Sequence, residues 1–202
     1  MAFVLGVTGG VGTGKSTVLL MLAELGARTL SADDLAREAL ARDTPAYMNV
    51  VSRFGAAILT PERDIDRPAL ASIVFSDANA RRDLESITHP SIIARIQSAI
   101  DEFRANPPAS NALLAIEIPL IFECGLEGMV DQVLVVAAEQ ETQVSRLTSR
   151  SGAIHGDVLS RIHAQMPLAR KIERADRVLW NDGDLESLAR LVKALWQEIR
   201  LL

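Results

Sequence analysis

Apolar residues are concentrated in four short runs, at residues 3–8, 112–118, 132–137 and 177–180, and residues 27–30 could add a short strand after the first helix. Runs that are apolar on consecutive positions predict strands buried on both faces, as in a parallel sheet covered by helices. The last stretch, 184–202, instead places its apolar residues at helical spacing and is predicted to pack on that sheet. The pattern therefore predicts an α/β fold built on a parallel sheet.

Residues 32–106 follow a different pattern, in which helical segments succeed one another without a convincing strand. The longest helix is predicted to start near Pro90, because proline is tolerated in a first helical turn, and to end before Asn106, which two prolines follow. We interpret this stretch as a helical lobe inserted into a core formed by residues 1–31 and 107–202.

A glycine-rich motif lies between the first strand and a predicted helix at 16–25. It reads Gly9-Gly10-Val11-Gly12-Thr13-Gly14-Lys15-Ser16 and fits the G-x-x-x-x-G-K-[ST] pattern. Glycines let a backbone curl its N–H groups around a phosphate, and a helix N-terminus adds partial positive charge. Lys15 can reach the β- and γ-phosphates, and the Ser16 hydroxyl can ligate Mg²⁺. The predicted phosphate-binding residues are Gly12, Thr13, Gly14, Lys15, Ser16 and Thr17. The alternative is a glycine-rich turn without a ligand.

Composition narrows the function further. The chain has 202 residues and a net charge of −5, so no overall basic field draws in nucleic acid. No run is long enough to cross a membrane. The single cysteine, Cys124, cannot form an internal disulfide, and no signal peptide is recognisable. We expect a cytoplasmic protein with no nucleic-acid or membrane partner.

Three acidic residues, at two places in the chain, could take part in phosphoryl transfer. Asp33 and Asp34 follow the second strand, at the sheet edge where α/β folds bind ligands, and either could accept a hydroxyl proton. The same stretch from Ser31 is also good helix-capping sequence. Glu117, at the end of the strand 112–118, could organise Mg²⁺ or could be an ordinary solvated strand end.

Further candidates lie in the inserted lobe and in a polar helical region near residues 146–170. His89 could contact a ligand or could have a structural role only. Arg146 and Arg150 lie one turn apart on a predicted helix, and a helix carrying Arg161, Arg170 and Lys171 follows; such a flap would suit a lid closing over ATP. Asn181 opens an Asn-Asp-Gly segment that reads either as a tight turn or as a contact with a purine edge.

Several short motifs, taken in order, resemble the dephospho-CoA kinase family over nearly the whole chain. The opening Thr8–Thr17 segment is similar to the start of that family, and Ser31-Ala32-Asp33 with Ala36-Arg37 resembles its Asp-Ala-Asp-x-x-Ala-Arg segment. The match continues through Arg67, Leu70, Phe75, Leu84, His89-Pro90, Ile118-Pro119-Leu120-Ile121-Phe122-Glu123, Arg146-Leu147, Arg150, Gln165-Met166-Pro167, Lys171, Ala175-Asp176 and Asn181-Asp182-Gly183.

The resemblance implies a three-layer P-loop core with a helical lid, ATP and Mg²⁺ as cofactors, and transfer of the γ-phosphoryl of ATP to the 3′-hydroxyl of dephospho-CoA. It implies that Asp33 is the base and that Arg150 is a lid arginine. Acceptor-site roles are expected for Arg67 and His89, and nucleotide-site roles for Arg146 and Asn181. Ser31 stands where the family often has its first Asp, so that position is not a second catalytic acid here.

Two other functions stay open at this point. Another small-molecule kinase, acting on a nucleoside or a nucleoside monophosphate, would share the loop, the lid and the lobe. A nucleotide-dependent switch is the alternative from a different class, although the chain lacks the Asn-Lys-x-Asp guanine motif of GTPase switches. The oligomeric state is not specified and could be a monomer or a homotrimer.

Overall fold

The computed structural model describes residues 2–109, 111–151 and 155–201, and within these ranges it leaves aside the side chains of Arg150, Ser151, His155 and Asp157. The strands are β1 (Phe3–Gly9), β2 (Arg28–Ser31), β3 (Leu113–Glu117), β4 (Gln132–Ala137) and β5 (Arg177–Trp180). The helices are α1 (Lys15–Glu24), α2 (Ala32–Ala39), α3 (Pro45–Phe54), α4 (Arg67–Ser76), α5 (Ala78–Ala105), α6 (Gln140–Ser151), α7 (His155–His163), α8 (Leu168–Arg174) and α9 (Leu185–Ile199).

The five strands form one parallel sheet in the order β2-β3-β1-β4-β5. This confirms the predicted α/β class and the parallel sheet. The central strand β1 has β3 on one side and β4 on the other, so the chain changes direction across the sheet at β1. Parallel α/β sheets bind ligands outside the carboxyl ends of their strands at such a switch point.

One face of the sheet is buried under α1 and α9. Leu5 and Val7 of β1 are fully buried and belong to one core cluster with Leu22 of α1 and Val192 of α9. Gly6 points to the opposite face, where an added Cβ would lie only 2.8 Å from Cδ1 of Ile121. Packing on both faces explains why the strand sequences are apolar at consecutive positions.

Two predicted helix boundaries are wrong. Residues 78–105 form the single helix α5 with Pro90 inside it, instead of a separate helix that starts near Pro90. Pro90 removes the hydrogen bond that an N–H at this position would donate to the carbonyl of Ser86, four residues earlier. The helix is 28 residues long, so it retains its other backbone hydrogen bonds on both sides of the proline.

The segment that carries Arg161, Arg170 and Lys171 also differs from the prediction. It consists of two helices, α7 and α8, joined by residues 164–167, where a single helix was expected. The physical reason is Pro167, which sits at the N-cap of α8 and cannot continue a helix through its missing N–H group.

The chain divides into two compact units. The first comprises Met1–Ser31 and Glu102–Leu202, and contains the whole sheet; the second is Ala32–Asp101. The second unit has its own apolar cluster around Tyr47, Val50 and Ile58. No helix in the described part of the chain combines the length and the apolar character needed to cross a membrane.

Candidate active site

The glycine-rich loop occupies the turn between β1 and α1. Gly9 has φ +147° and Gly14 has φ +94°, which are backbone conformations that favour glycine. Space is equally restrictive: a Cβ on Gly9 would lie 2.1 Å from the carbonyl oxygen of Val136, and one on Gly14 would lie 2.3 Å from Nδ2 of Asn181. The loop conformation therefore requires glycine at both positions for backbone and for steric reasons.

The loop delivers the N-terminus of α1 to the carboxyl end of β1. The helix begins at Lys15, and its first turn is closed by the Val18 N–H, which donates to the Gly14 carbonyl at 3.1 Å. Amides that precede this bond point out of the helix end, which also carries the partial positive charge of the helix dipole. This arrangement is chemically suited to an anion.

Lys15 bends back over the loop. Its Nζ donates to the Gly10 carbonyl at 2.9 Å and to the Gly9 carbonyl at 3.3 Å, and the residue is only 9% exposed. The ammonium group is thereby held at the beginning of the glycine loop. A positive charge in this place complements the helix N-terminus.

Ser16 and Glu117 are brought together at the same edge. Ser16 Oγ donates to Glu117 Oε1 at 3.3 Å, and Glu117 is 6% exposed. Glu117 is the last residue of β3, in register with Val7 of β1 and with Ser31 of β2. The interpretation of Glu117 as a solvated strand end is wrong, because the residue is buried and its carboxylate accepts a hydrogen bond from Ser16.

Asn181 and Arg146 line a pocket of about 270 Å³ beside the loop, together with Gly14, Thr17, Gly183, Asp184, Leu185 and Leu188. Asn181 is 5% exposed, and its Nδ2 donates to the carbonyl of Thr13 at 2.8 Å. Its Oδ1 accepts a long bond of 3.5 Å from Arg146 Nη2. The other terminal nitrogen of Arg146, Nη1, is buried and has no hydrogen-bond partner among the described residues. A ligand atom able to accept a hydrogen bond would suit that position.

Gln143 contributes to the site but carried no recognisable signal in the sequence. It lies on α6, is 3% exposed, and donates from Nε2 to the carbonyl of Ala138 at 2.9 Å. Its Oε1 would be 2.8 Å from a Cβ on Gly10, and its carbonyl would be 3.0 Å from a Cβ on Gly12. Helix α6 therefore packs directly against the glycine loop, which explains the need for small residues on that side.

Asp184 also lines the pocket, as the N-cap residue of α9. Its carboxylate accepts a hydrogen bond from the Ser187 N–H at 2.8 Å. This backbone bond, with a smaller contribution from the Ser187 side chain, holds the pKa of Asp184 below its usual value of 3.8.

The predicted acceptor-site residues lie in the second unit. Asp33 is exposed in the first turn of α2; because α2 begins at Ala32, neither Asp33 nor Asp34 occupies its N-cap. Arg67 begins α4 and donates from Nη2 to the carbonyl of Arg37 in α2 at 3.4 Å, which connects these two helices. His89 is half-buried within α5.

Arg150 cannot be placed in the same detail as the other predicted residues. It belongs to α6, but its side chain lies outside the described residues. Arg146, one turn earlier on the same helix, lines the pocket beside the glycine loop.

Comparison with known proteins gives one consistent result. The family model described as dephospho-CoA kinase matches residues 3–187. A dephospho-CoA kinase of Moorella thermoacetica is 43% identical over 98% of this chain and 92% of its own length, and one of Geobacter metallireducens is 44% identical over 96% of each. The solved dephospho-CoA kinase from Campylobacter jejuni superposes with a TM-score of 0.73 at 28% identity, covering 99% of this chain and 98% of that one.

Proposed function

The chain belongs to the dephospho-CoA kinase family, and we propose that it transfers the γ-phosphoryl group of ATP to the 3′-hydroxyl of dephospho-CoA, giving CoA and ADP. The activity follows from a family match that spans most of the chain. The single structural observation that supports it most strongly is the glycine loop, which presents a helix N-terminus and the Lys15 ammonium at one sheet edge. The roles of individual residues below are part of the proposal.

Residues 12–17 bind the polyphosphate of ATP. Backbone amides at the start of α1 donate to phosphate oxygens, and the Lys15 ammonium exchanges its carbonyl partners for the β- and γ-phosphates. The Gly9 and Gly10 carbonyls are neutral, so an anionic phosphate is a stronger acceptor than either of them. The pocket beside Arg146 and Asn181 takes the nucleoside end, where the buried Nη1 of Arg146 can donate to it.

Ser16 and Glu117 are the residues that would hold Mg²⁺. A hydroxyl and a carboxylate 3.3 Å apart form a hard oxygen donor pair of the kind this ion selects, and it usually completes its shell with water and substrate phosphates. Among the described residues no group of three or more His, Cys, Asp or Glu side chains is placed to hold a metal. When bound, Mg²⁺ would neutralise charge on the phosphoryl oxygens.

Asp33 accepts the proton of the attacking hydroxyl. It follows Ser31, the last residue of β2, by two positions, and this limits the separation of their Cα atoms to about 7 Å. Ser31 is in register with Glu117, so β2 ends at the same sheet edge as the glycine loop. The exposed carboxylate can receive a proton and release it to water.

Substrate positioning and exclusion of water belong to the second unit and to the lid. Arg67 and His89 are the proposed contacts for dephospho-CoA, an anionic substrate that an exposed arginine can pair with. Helices α6 and α7 form the lid, with Arg146 and Arg150 stabilising charge on the transferred group. Most of the acceleration comes from orientation and electrostatics.

A cytoplasmic location and a monomeric or homotrimeric state remain predictions. The single cysteine, for which an internal disulfide is impossible, suits a reducing compartment. Size-exclusion chromatography with light scattering distinguishes 21.9 kDa from three times that mass.

The proposed activity is tested by incubating the pure protein with ATP, Mg²⁺ and one of four acceptors: dephospho-CoA, AMP, CMP or shikimate. Mass spectrometry is expected to detect CoA in the first reaction and no phosphorylated product in the other three. Lys15→Ala is the negative control for a contaminating kinase. A phosphorylated nucleotide or shikimate in place of CoA identifies another small-molecule kinase, and nucleotide hydrolysis without any acceptor product supports the switch function.

A further inference from the structure

A completely buried lysine lies outside the machinery described so far. Lys171 of α8 has a side chain that is 0% exposed, and its Nζ lies 2.9 Å from Glu123 Oε1 and 2.9 Å from the carbonyl oxygen of Pro119. A buried ammonium is costly unless its charge is paired and its hydrogen bonds are made. Both acceptors come from the segment that follows β3, so Lys171 fastens α8 to that segment.

Each of the two acceptors also binds a second donor. The Pro119 carbonyl accepts from Thr8 Oγ1 at 3.1 Å, and Thr8 is the buried residue directly before Gly9 of the glycine loop. The Glu123 carboxylate accepts from the Met166 N–H at 3.1 Å, in the connection between α7 and α8. One ammonium group thus links the beginning of the phosphate loop to the end of the proposed lid.

The link between Lys171 and Met166 holds the connection at residues 164–167. The connection is short, it ends at Pro167, and it joins the proposed lid helix α7 to the rest of the fold. An anchor on its backbone at Met166 fixes where the lid leaves the core relative to the loop that binds the phosphates. Arg170 does not provide this anchor, because it pairs with Glu173 one turn along the same helix, with 70% of its side chain exposed. Arg174 also binds the segment after β3, at the Phe122 carbonyl and at Glu127, but the Met166 N–H donates to Glu123, the partner of Lys171.

We infer that Lys171 is a positioning residue of the phosphoryl-transfer reaction: through Glu123 and the Pro119 carbonyl it holds the C-terminal end of the lid in register with the glycine loop. It contacts neither ATP nor the acceptor. Loss of this anchor misplaces the lid arginines and leaves the phosphate loop itself able to bind nucleotide. The inference rests on the lid role proposed above.

The first test compares Lys171→Met with Lys193→Met, which makes the same substitution at an exposed lysine of α9. Misplacement of a catalytic group by about 1 Å can cost about 10²-fold, so kcat of Lys171→Met is expected to fall by about that factor. The KM for ATP is expected to change by less than about threefold, because binding in the ground state is retained. Lys193→Met is expected to keep the wild-type kcat. Equal kcat values for the two variants overturn the inference.

The second test separates positioning from stability. Lys171→Met leaves Glu123 without its cation, whereas combining it with Glu123→Leu replaces the ion pair by two apolar side chains and is expected to restore the melting temperature. If Lys171 positions the lid, kcat stays low in the double variant. If kcat recovers with the melting temperature, the role is structural only and the inference is wrong. If Lys171→Met alone fails to fold, kcat and the melting temperature of the double variant are compared directly with those of the wild type.

Hydrogen–deuterium exchange measures directly whether the lid is protected when nucleotide binds. Peptides that cover residues 155–167 are expected to exchange more slowly in the wild type when a non-hydrolysable ATP analogue is bound, and to lose this protection in the double variant. Protection retained in the double variant overturns the role of Lys171. Absence of nucleotide-dependent protection in the wild type overturns the lid assignment as well, and production of CoA shows separately whether the kinase function stands.

Discussion

The contact between Gly14 and Asn181 gives the sharpest quantitative prediction. Replacing Gly14 by alanine forces a side chain into φ +94° and places Cβ 2.3 Å from Asn181 Nδ2. The left-handed backbone costs about 1–2 kcal/mol. Displacing the amide also breaks its hydrogen bond to the buried Thr13 carbonyl, which costs about 1–3 kcal/mol more. We therefore expect Gly14→Ala to lower the free energy of unfolding by about 2–5 kcal/mol.

Gly125→Ala is the matched control for backbone strain. Gly125 also has a positive φ, +65°, but nothing lies within 4 Å of the position of its added Cβ. Its substitution should cost only the backbone contribution of about 1–2 kcal/mol. Urea unfolding of both variants isolates the steric contribution at Gly14, and isothermal titration calorimetry measures whether the distorted loop binds ATP more weakly than the Gly125→Ala variant does.

A double-mutant cycle tests whether the clash with Asn181 is the cause of the expected loss of stability in Gly14→Ala. Asn181→Ala removes the amide that an alanine at position 14 would strike, so the two substitutions together should cost at least about 1 kcal/mol less than the sum of their separate effects. Additive effects would refute the proposed clash. Equal unfolding free energies for Gly14→Ala and Gly125→Ala would refute it as well.

Three further predictions concern single residues. Asp33→Asn should lower kcat by about 10²–10⁴-fold while calorimetry shows nearly unchanged ATP affinity, and full turnover would remove Asp33 from the role of base. Glu117→Gln should raise the Mg²⁺ concentration needed for half-maximal activity by about tenfold, and an unchanged Mg²⁺ titration would argue against the Ser16–Glu117 site. Because the pKa of Asp184 is lowered in the folded protein, its stabilising effect is present at neutral pH and is lost as the pH falls through its pKa. Between about pH 6 and pH 3, the melting temperature of the wild type should therefore fall more than that of Asp184→Asn, because asparagine caps the helix without titrating. Asp184→Ala should already have a lower melting temperature at neutral pH, because it lacks the cap. Parallel pH profiles of the melting temperature for the wild type and Asp184→Asn would contradict this prediction.

The sequence predicted those parts of the fold that are determined by a few consecutive residues. Apolar runs located the central strands β1, β3 and β4, and the glycine motif located Lys15 at the start of a helix, because each signal lies within a few consecutive residues. The prediction of a helix start near Pro90 was wrong because it also used only the residues around the proline. Local sequence suggests a helix start at proline, while the 28-residue α5 continues through Pro90 and loses only one backbone hydrogen bond there.

Contacts between distant parts of the chain could not be predicted in this way. The Asn181–Thr13 hydrogen bond joins residues 168 positions apart, and the sequence offered only a turn or a purine contact for Asn181. The burial of Glu117 depends on its neighbours in the sheet, so the sequence alone left two interpretations open. Gln143 gave no signal, because an amide on a polar helix looks like a surface residue until its helix is packed against the loop.

The central claim is that main-chain amides at the start of α1 bind the phosphates of ATP, and NMR spectroscopy tests it most directly. ADP and Mg²⁺ are added to the ¹⁵N-labelled protein while the backbone amides are followed. The amide protons of Gly14, Lys15 and Ser16 are expected to move downfield, as hydrogen bonds to phosphate oxygens require, while those of α9 distant from the pocket remain in place. Binding of ADP that leaves the resonances of residues 12–17 unchanged would contradict the claim.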